Sequence, residues 1–311
     1  WMDRPLSIAG RVMVRTEKGV AMRLVDLKEP VALIPNVAIH MNREANSGTK
    51  YNFAVDMQPL YGKKETFRHR IAAAAGVAED DLLTHDLFLY NPQPGVMWGD
   101  YISAPRLDDL QCAFASLQGF LTADESRSAC VYCLFDNEEV GSQTKQGAAG
   151  TFLREALERI CDGLGVTLRT MAAGSFLLSC DNAHAVHPNH PEYADRNHSV
   201  RMNGGVVLKY NASQRYTTDA VSAALLQTVC QRAGVSLQRY ANRPDMAGGS
   251  TLGSIANTQV SLNMADIGLA QLAMHSAFET AGAQDTAYMA QALRTFFEAS
   301  LQMDADGTYR L

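Results

Sequence analysis

The sequence predicts an α/β fold: a mixed-sheet domain with helices on both faces, preceded by a smaller β-rich domain. Three observations carry this. From about residue 104, short apolar runs alternate with stretches of helical period, first Leu107, Leu110, Phe114, Leu117, Phe120 and Leu121. Residues 1–100 lack that rhythm and read as strands and turns. Between them stands Asn91-Pro92-Gln93-Pro94-Gly95, with Pro105 beyond, a change of composition that divides the chain into 1–100 and 101–311.

In order, Leu6 to Arg15 and Val20 to Leu27 read as strands joined around Lys18-Gly19. Val31 to Met41 holds two short apolar runs broken by Pro35, and residues 42–64, with Asn46-Ser47-Gly48, form an exposed loop. Thr66 to Ala75 reads as a short helix, Ala78 to Asp81 as a solvated acidic run and His85 to Tyr90 as a strand. After the helix near 107 come a strand at 129–135, a helix at 147–162 and strands at Ser175 to Cys180 and Val206 to Tyr210. A helix from Asp219 to Arg232, strands at Leu237 to Ala241 and Gln259 to Met264, and a helix from Thr286 to Leu301 complete the series.

Composition removes several functions. With 47% hydrophobic residues the chain can bury a large core. A formal net charge of −6 without a Lys/Arg run argues against nucleic acid and anionic membranes as partners. No apolar stretch reaches the roughly 18 residues of a membrane span. The chain opens on Trp1 with no charged and apolar leader behind it, and reads as starting inside a longer protein. Six cysteines without regular spacing, Cys130 and Cys133 included, read as buried free thiols of a reducing cytoplasm.

Candidate chemistry gathers where acids follow apolar runs. Glu138 and Glu139 come after 129–135, Asp181 after Ser175 to Cys180, Asp108 opens a helix and His275 follows a Gly-containing run. In open α/β sheets such strand ends converge on one crevice, where carboxylates and an imidazole can grip a cation. Each also has an ordinary explanation. Asp108 caps its helix, Asp181 and Asp136 to Glu139 form turns, and His275 is a satisfied semi-buried histidine.

Four blocks in order, Arg106 to Leu110, Asp136 to Ser142, Ser179 to Asn189 and Gln271 to Ser276, with Trp1 to Val12 ahead of them, closely resemble the aspartyl aminopeptidases. These are two-zinc metallopeptidases that form tetrahedral dodecamers from dimers. The resemblance implies a zinc-peptidase domain carrying an inserted dimerisation domain, here residues 1–100. It implies Asp108 as the carboxylate bridging two zinc ions, Glu139 and His275 completing one metal site, Asp181 in the other, and Glu138 as general base. It places His184, Lys209, Ser250 and Thr251 along the substrate pocket, and His40 as a residue reaching a neighbouring subunit's site. On residues alone, Lys209 is equally an edge lysine and Ser250 part of a tight loop. The implied reaction removes N-terminal Asp or Glu from peptides in the cytoplasm. The family's remaining zinc-ligand histidine, in a His-Thr-Asp-Ser-Pro type motif, has no match here. That leaves two rivals: a catalytically silent assembly subunit, and a related aminopeptidase acting on neutral or basic N-termini.

Overall fold

The computed structural model describes residues 1–311 except Ala247, Ala305 and Asp306, and it divides into two compact units, Trp1–Pro94 and Gly95–Leu311. The first unit is built on β1 (Pro5–Thr16). This strand pairs antiparallel with β2 (Gly19–Asp26) across a tight hairpin, and its first residues pair with β3 (Ala32–Leu33), which pairs with β4 (Leu60–Tyr61). Helix α1 (Phe67–Ala75) starts where Thr66 Oγ1 accepts the His69 N–H at 3.1 Å, the cap that Ser and Thr supply. It ends on Gly76 at φ 70°. Strand β5 (Leu82–Tyr90) covers the other edge of β1. The core is the inward alternation of β1 (Ile8, Val12 and Val14) closed by Val25, Ile71 and Leu82. Gly10 interrupts that alternation for a steric reason, since a Cβ there would lie 2.1 Å from the Asp86 carbonyl oxygen.

In the second unit, β6 (Val96–Trp98) and β7 (Tyr101–Ala104) lead into α2 (Leu107–Thr122), followed by α3 (Phe152–Gly163) and α4 (Leu168–Ala173). Then come β8 (Phe176–Cys180), β9 (Ala183–His184), β10 (Val206–Tyr210), α5 (Ala220–Ala233), β11 (Leu237–Ala241) and α6 (Leu252–Gln259). Strands β12 (Asn263–Gly268), β13 (Ala270–Leu272) and β14 (Glu279–Gly282), helix α7 (Asp285–Glu298) and the pair β15 (Gln302–Met303) and β16 (Tyr309–Arg310) close the chain. One sheet runs β11-β10-β12-β8, with β10–β11 and β12–β8 parallel and β10–β12 antiparallel. A second runs β6-β7-β14-β13-β9.

Side-chain alternation sorts the first sheet's two faces. Leu178, Val206, Leu208, Ala265 and Ile267 point into a core with Cys112, Leu226, Met289 and Leu293 of α2, α5 and α7. The opposite parity presents Ser179, Val207, Lys209 and Asp266. There α6 packs so closely that a Cβ on Gly253 would meet Asp266 Oδ1 at 2.4 Å. Helices therefore cover both faces, which is why β10 is buried along most of its length.

Three expectations need correction. Residues 129–135 form no ladder, because no strand lies alongside them among the described residues. Cys130 Sγ and Tyr132 Oη instead donate to the Phe297 and Ala113 carbonyls. The helix expected at 147–162 begins at Phe152, since Gly147 folds against Ser142 in a turn where a Cβ would approach the Ser142 oxygen to 2.4 Å. The strand expected at Gln259 to Met264 is displaced to Asn263–Gly268, because 252–259 satisfies its backbone as α6 and Asn257 Oδ1 takes the Leu262 N–H at 2.9 Å. No helix among the described residues is long and apolar enough to cross a membrane.

Candidate metal centre

The site lies on the face of the first sheet that carries Ser179, Lys209 and Asp266. Asp181 follows the last residue of β8, and Gly268 ends the neighbouring β12. A Cβ at Gly268 would lie 2.0 Å from the Asp181 carbonyl oxygen and 3.0 Å from Lys209 Cε, so these two strands meet at Asp181 only over a glycine. Asp108 comes from the start of α2, where its own φ/ψ of −79°/116° is not yet helical. His275 comes from the loop after β13, at φ 66°. Glu138 and Glu139 come from a turn in which Gly141 N–H donates to the Glu138 carbonyl at 2.8 Å and Ser142 N–H to that of Asn137 at 2.9 Å. Arg106, Asn137 and His275 all adopt positive φ within these segments, strain of the kind that collects at working sites.

These elements bring the expected ligands together. His275 Nε2 lies 3.0 Å from Asp108 Oδ2 and 3.0 Å from Glu139 Oε1. One ligand atom each from Asp108, Glu139 and His275 lies within 4.8 Å of the others, and the same holds for Asp108, Asp109 and Asp181. Asp108 belongs to both groups. Among the described residues, Asp108 Oδ1 and Asp109 Oδ1 are buried with no hydrogen-bond partner. Buried carboxylate oxygens without donors, drawn from two triads that share one residue, fit a pair of divalent cations.

Electrostatics agree. Burial, then the Asp181 charge, pushes the Asp108 carboxyl up to about 8, with Glu139 and Glu279 adding to the effect. Burial and Asp181 likewise raise Asp109 well above the ordinary carboxylate range. Glu138 is raised by burial, then by Asp181 and Glu139. A cation would relieve this mutual repulsion.

Lys209 is the buried counter-charge. It is 2% exposed, donating from Nζ to the Asn182 carbonyl at 2.7 Å and to Asp181 Oδ2 at 3.3 Å, with the Tyr216 ring centroid 5.4 Å away. Burial pulls its pKa down, but the charges of Asp181, Tyr216, Asp266 and Cys112 together more than offset this and hold it above the ordinary lysine value. His184 is solvent-open at its edge, while the surrounding protein, then Lys209, lowers its imidazole pKa. Ser250 is exposed; Thr251 is 2% exposed and spends its hydroxyl on Asp266 Oδ1 at 2.7 Å. His40 is an exposed residue of the first unit.

Three residues given no role on sequence grounds belong to this centre. Asp109 completes the second triad. Asn182 ties α2 to β13, donating from Nδ2 to Gln271 Oε1 at 2.7 Å and to Gln111 Oε1 at 3.2 Å, while Oδ1 accepts from Cys112 Sγ at 2.7 Å. Glu279 accepts the backbone N–H of both Asp108 and His275. Asp109 and Asn182 each adjoin a predicted ligand, a signal within reach of the sequence; Glu279 has no such marker.

A family model described as aminopeptidase I zinc metalloprotease (M18) matches residues 1–297. A protein of Clostridium acetobutylicum named probable M18 family aminopeptidase 2 is 41% identical over 312 residues, covering 96% of this chain and 72% of that protein. Among solved structures, Ape4 in its cryo-EM complex with Nbr1 aligns at TM-score 0.90 and 32% identity, over 96% of this chain and 63% of that one. The mApe1 dodecamer of S. cerevisiae aligns at TM-score 0.79 and 28% identity, over 96% and 69%.

Proposed function

The chain belongs to the aminopeptidase I zinc metalloprotease (M18) family, and from that premise we propose that it is an aminopeptidase removing N-terminal Asp or Glu from peptides with two bound zinc ions. The observation that carries the two-ion reading is the sharing of Asp108 between two ligand triads. Asp108, Glu139 and His275 would hold one ion, and Asp108, Asp109 and Asp181 the other. Bound zinc would supply an activated water and a polarised scissile carbonyl. Glu138, whose carboxyl is raised by burial, then by Asp181 and Glu139, would take the water's proton and return it to the leaving amine. His275 and Glu139 lie 3.0 Å apart, and Lys209 Nζ holds Asp181 Oδ2 at 3.3 Å. The acidic preference rests on the resemblance of the Lys209 and His184 blocks. Lys209 contributes positive potential beside Asp181, and the exposed His184 would meet the substrate.

The first unit supports self-association. Val20, Met22 and Leu24 alternate outward on β2 and are 61%, 51% and 77% exposed, and Phe88 on β5 is 69% exposed. By analogy with the mApe1 dodecamer we assign this unit to subunit pairing. All six cysteines are free, consistent with a reducing cytoplasm.

One observation favours the silent-subunit reading: the second triad holds three carboxylates and no imidazole. Zinc analysis and a panel of aminoacyl p-nitroanilides separate the possibilities. Two zinc ions per chain with release from Asp and Glu support the proposal. Preference for Leu or Lys ends the acidic assignment, and one zinc without hydrolysis favours the silent subunit.

A further inference from the structure

Glu279 begins β14, opposite Ala104 of β7, and is 2% exposed. Burying a carboxylate is costly unless donors replace water. Here the donors are two backbone amides. Asp108 N–H reaches Oε2 at 2.9 Å, and His275 N–H reaches Oε1 at 2.7 Å. Those are the residues whose side chains meet at 3.0 Å in the first ligand triad. Asp108 enters with extended backbone and His275 at positive φ, so neither amide is consumed by regular structure. Each oxygen of one side chain thus fixes the main chain of a different ligand, across a sequence gap that no local element spans.

We propose that Glu279 is a positioning residue that presets the spacing of Asp108 and His275 for cation binding; this deepens the metal reading above and rests on it. A carboxylate is needed because both contacts require acceptors. An amide would present one donor to a backbone N–H, and a carboxylate one methylene shorter would reach only one amide. Thr280, the next residue of β14, offers a control. Its Oγ1 lies 2.8 Å from Ser103 Oγ, linking β14 to β7 without touching either ligand.

The test is titration of the metal-free chain with cobalt(II), followed by its visible absorption. Glu279→Gln is expected to weaken cobalt affinity about 10–100-fold and to change the absorption intensity, as loss of a ligand's support does. Thr280→Val leaves both amide contacts of Glu279 in place and should stay within about twofold of the original chain. Should Glu279→Gln fail to fold, Glu279→Asp decides, with an intermediate loss expected. Equal affinity in the folded Glu279 variant and the original chain overturns the inference alone. An equal loss in Thr280→Val also overturns it, since the effect would then be general weakening of the strand pair. No cobalt binding by the original chain overturns the metal reading and this inference with it.

Discussion

Replacing Lys209 with Met should destabilise the metal-free chain by about 3–5 kcal/mol, the cost of removing one partner from a buried ion pair. The structure divides that loss. The Asn182 carbonyl, which takes Nζ at 2.7 Å, is left without its donor; an orphaned buried acceptor costs about 1–3 kcal/mol. The remainder is the uncompensated charge of Asp181, a side chain 17% exposed and crowded by Asp108 and Asp109. Adding Asp181→Asn removes the charge and leaves the orphaned carbonyl. The double variant should therefore be more stable than Lys209→Met alone, about 1–3 kcal/mol below the original chain. Urea unfolding in chelator-containing buffer, extrapolated linearly, gives all three values. A double variant no more stable than Lys209→Met would refute the assignment of Lys209 as partner of Asp181.

Glu138→Gln should keep the zinc content unchanged and lower turnover about 10²–10⁴-fold, the usual contribution of a proton-transferring group; unchanged turnover on Asp-p-nitroanilide removes Glu138 from that role. Gly268→Ala should cost about 1–3 kcal/mol by overpacking and weaken metal binding, because its Cβ would press on the Asp181 carbonyl oxygen 2.0 Å away. Thermal melting and cobalt titration check both effects. Asp285 is fully buried, accepts the Asn203 and Gly205 N–H groups, and is pushed up to about 6 by burial despite them. The folded state therefore holds a proton that the unfolded chain has released, and the stabilisation is present below about pH 4 and lost as pH rises to about 6. Asp285→Asn should remove that component, so the stability difference between the variant and the original chain shifts across pH 4–6; a constant difference contradicts this.

Much of the arrangement was legible because it rests on local rules. The β1–β2 hairpin, the helix near Thr66 to Ala75 and the strand before Asp181 follow from alternation, a short helical stretch and an apolar run, all contained within a few residues. The gathering of Asp108, Glu139, Asp181 and His275 became readable from four resembling blocks in order, not from spacing. What was not legible depends on partners distant in sequence. Ala129 to Phe135 has the composition of a strand, yet a ladder needs a neighbour, and none lies beside it among the described residues. Gln259 to Met264 is apolar enough for a strand, but 252–259 forms a helix that packs against β8 and β12. Lys209 read as a pocket residue by resemblance and equally as an edge lysine on residues alone; its burial and its contact with Asp181 depend on the parity of β10 and on a partner distant in sequence. Glu279 carries no signal because its role is to hold two backbones that fold near it from far along the chain.

The fold brings Asp108, Glu139 and His275 close enough to share one cation. Anomalous diffraction from zinc-soaked crystals, collected on both sides of the zinc absorption edge, tests it most directly. A zinc peak is expected bonded to a carboxylate oxygen of Asp108, one of Glu139 and the His275 Nε2, with a second peak on the Asp181 side of Asp108. Zinc bound elsewhere, with these three side chains making no common bond to a metal, would contradict it.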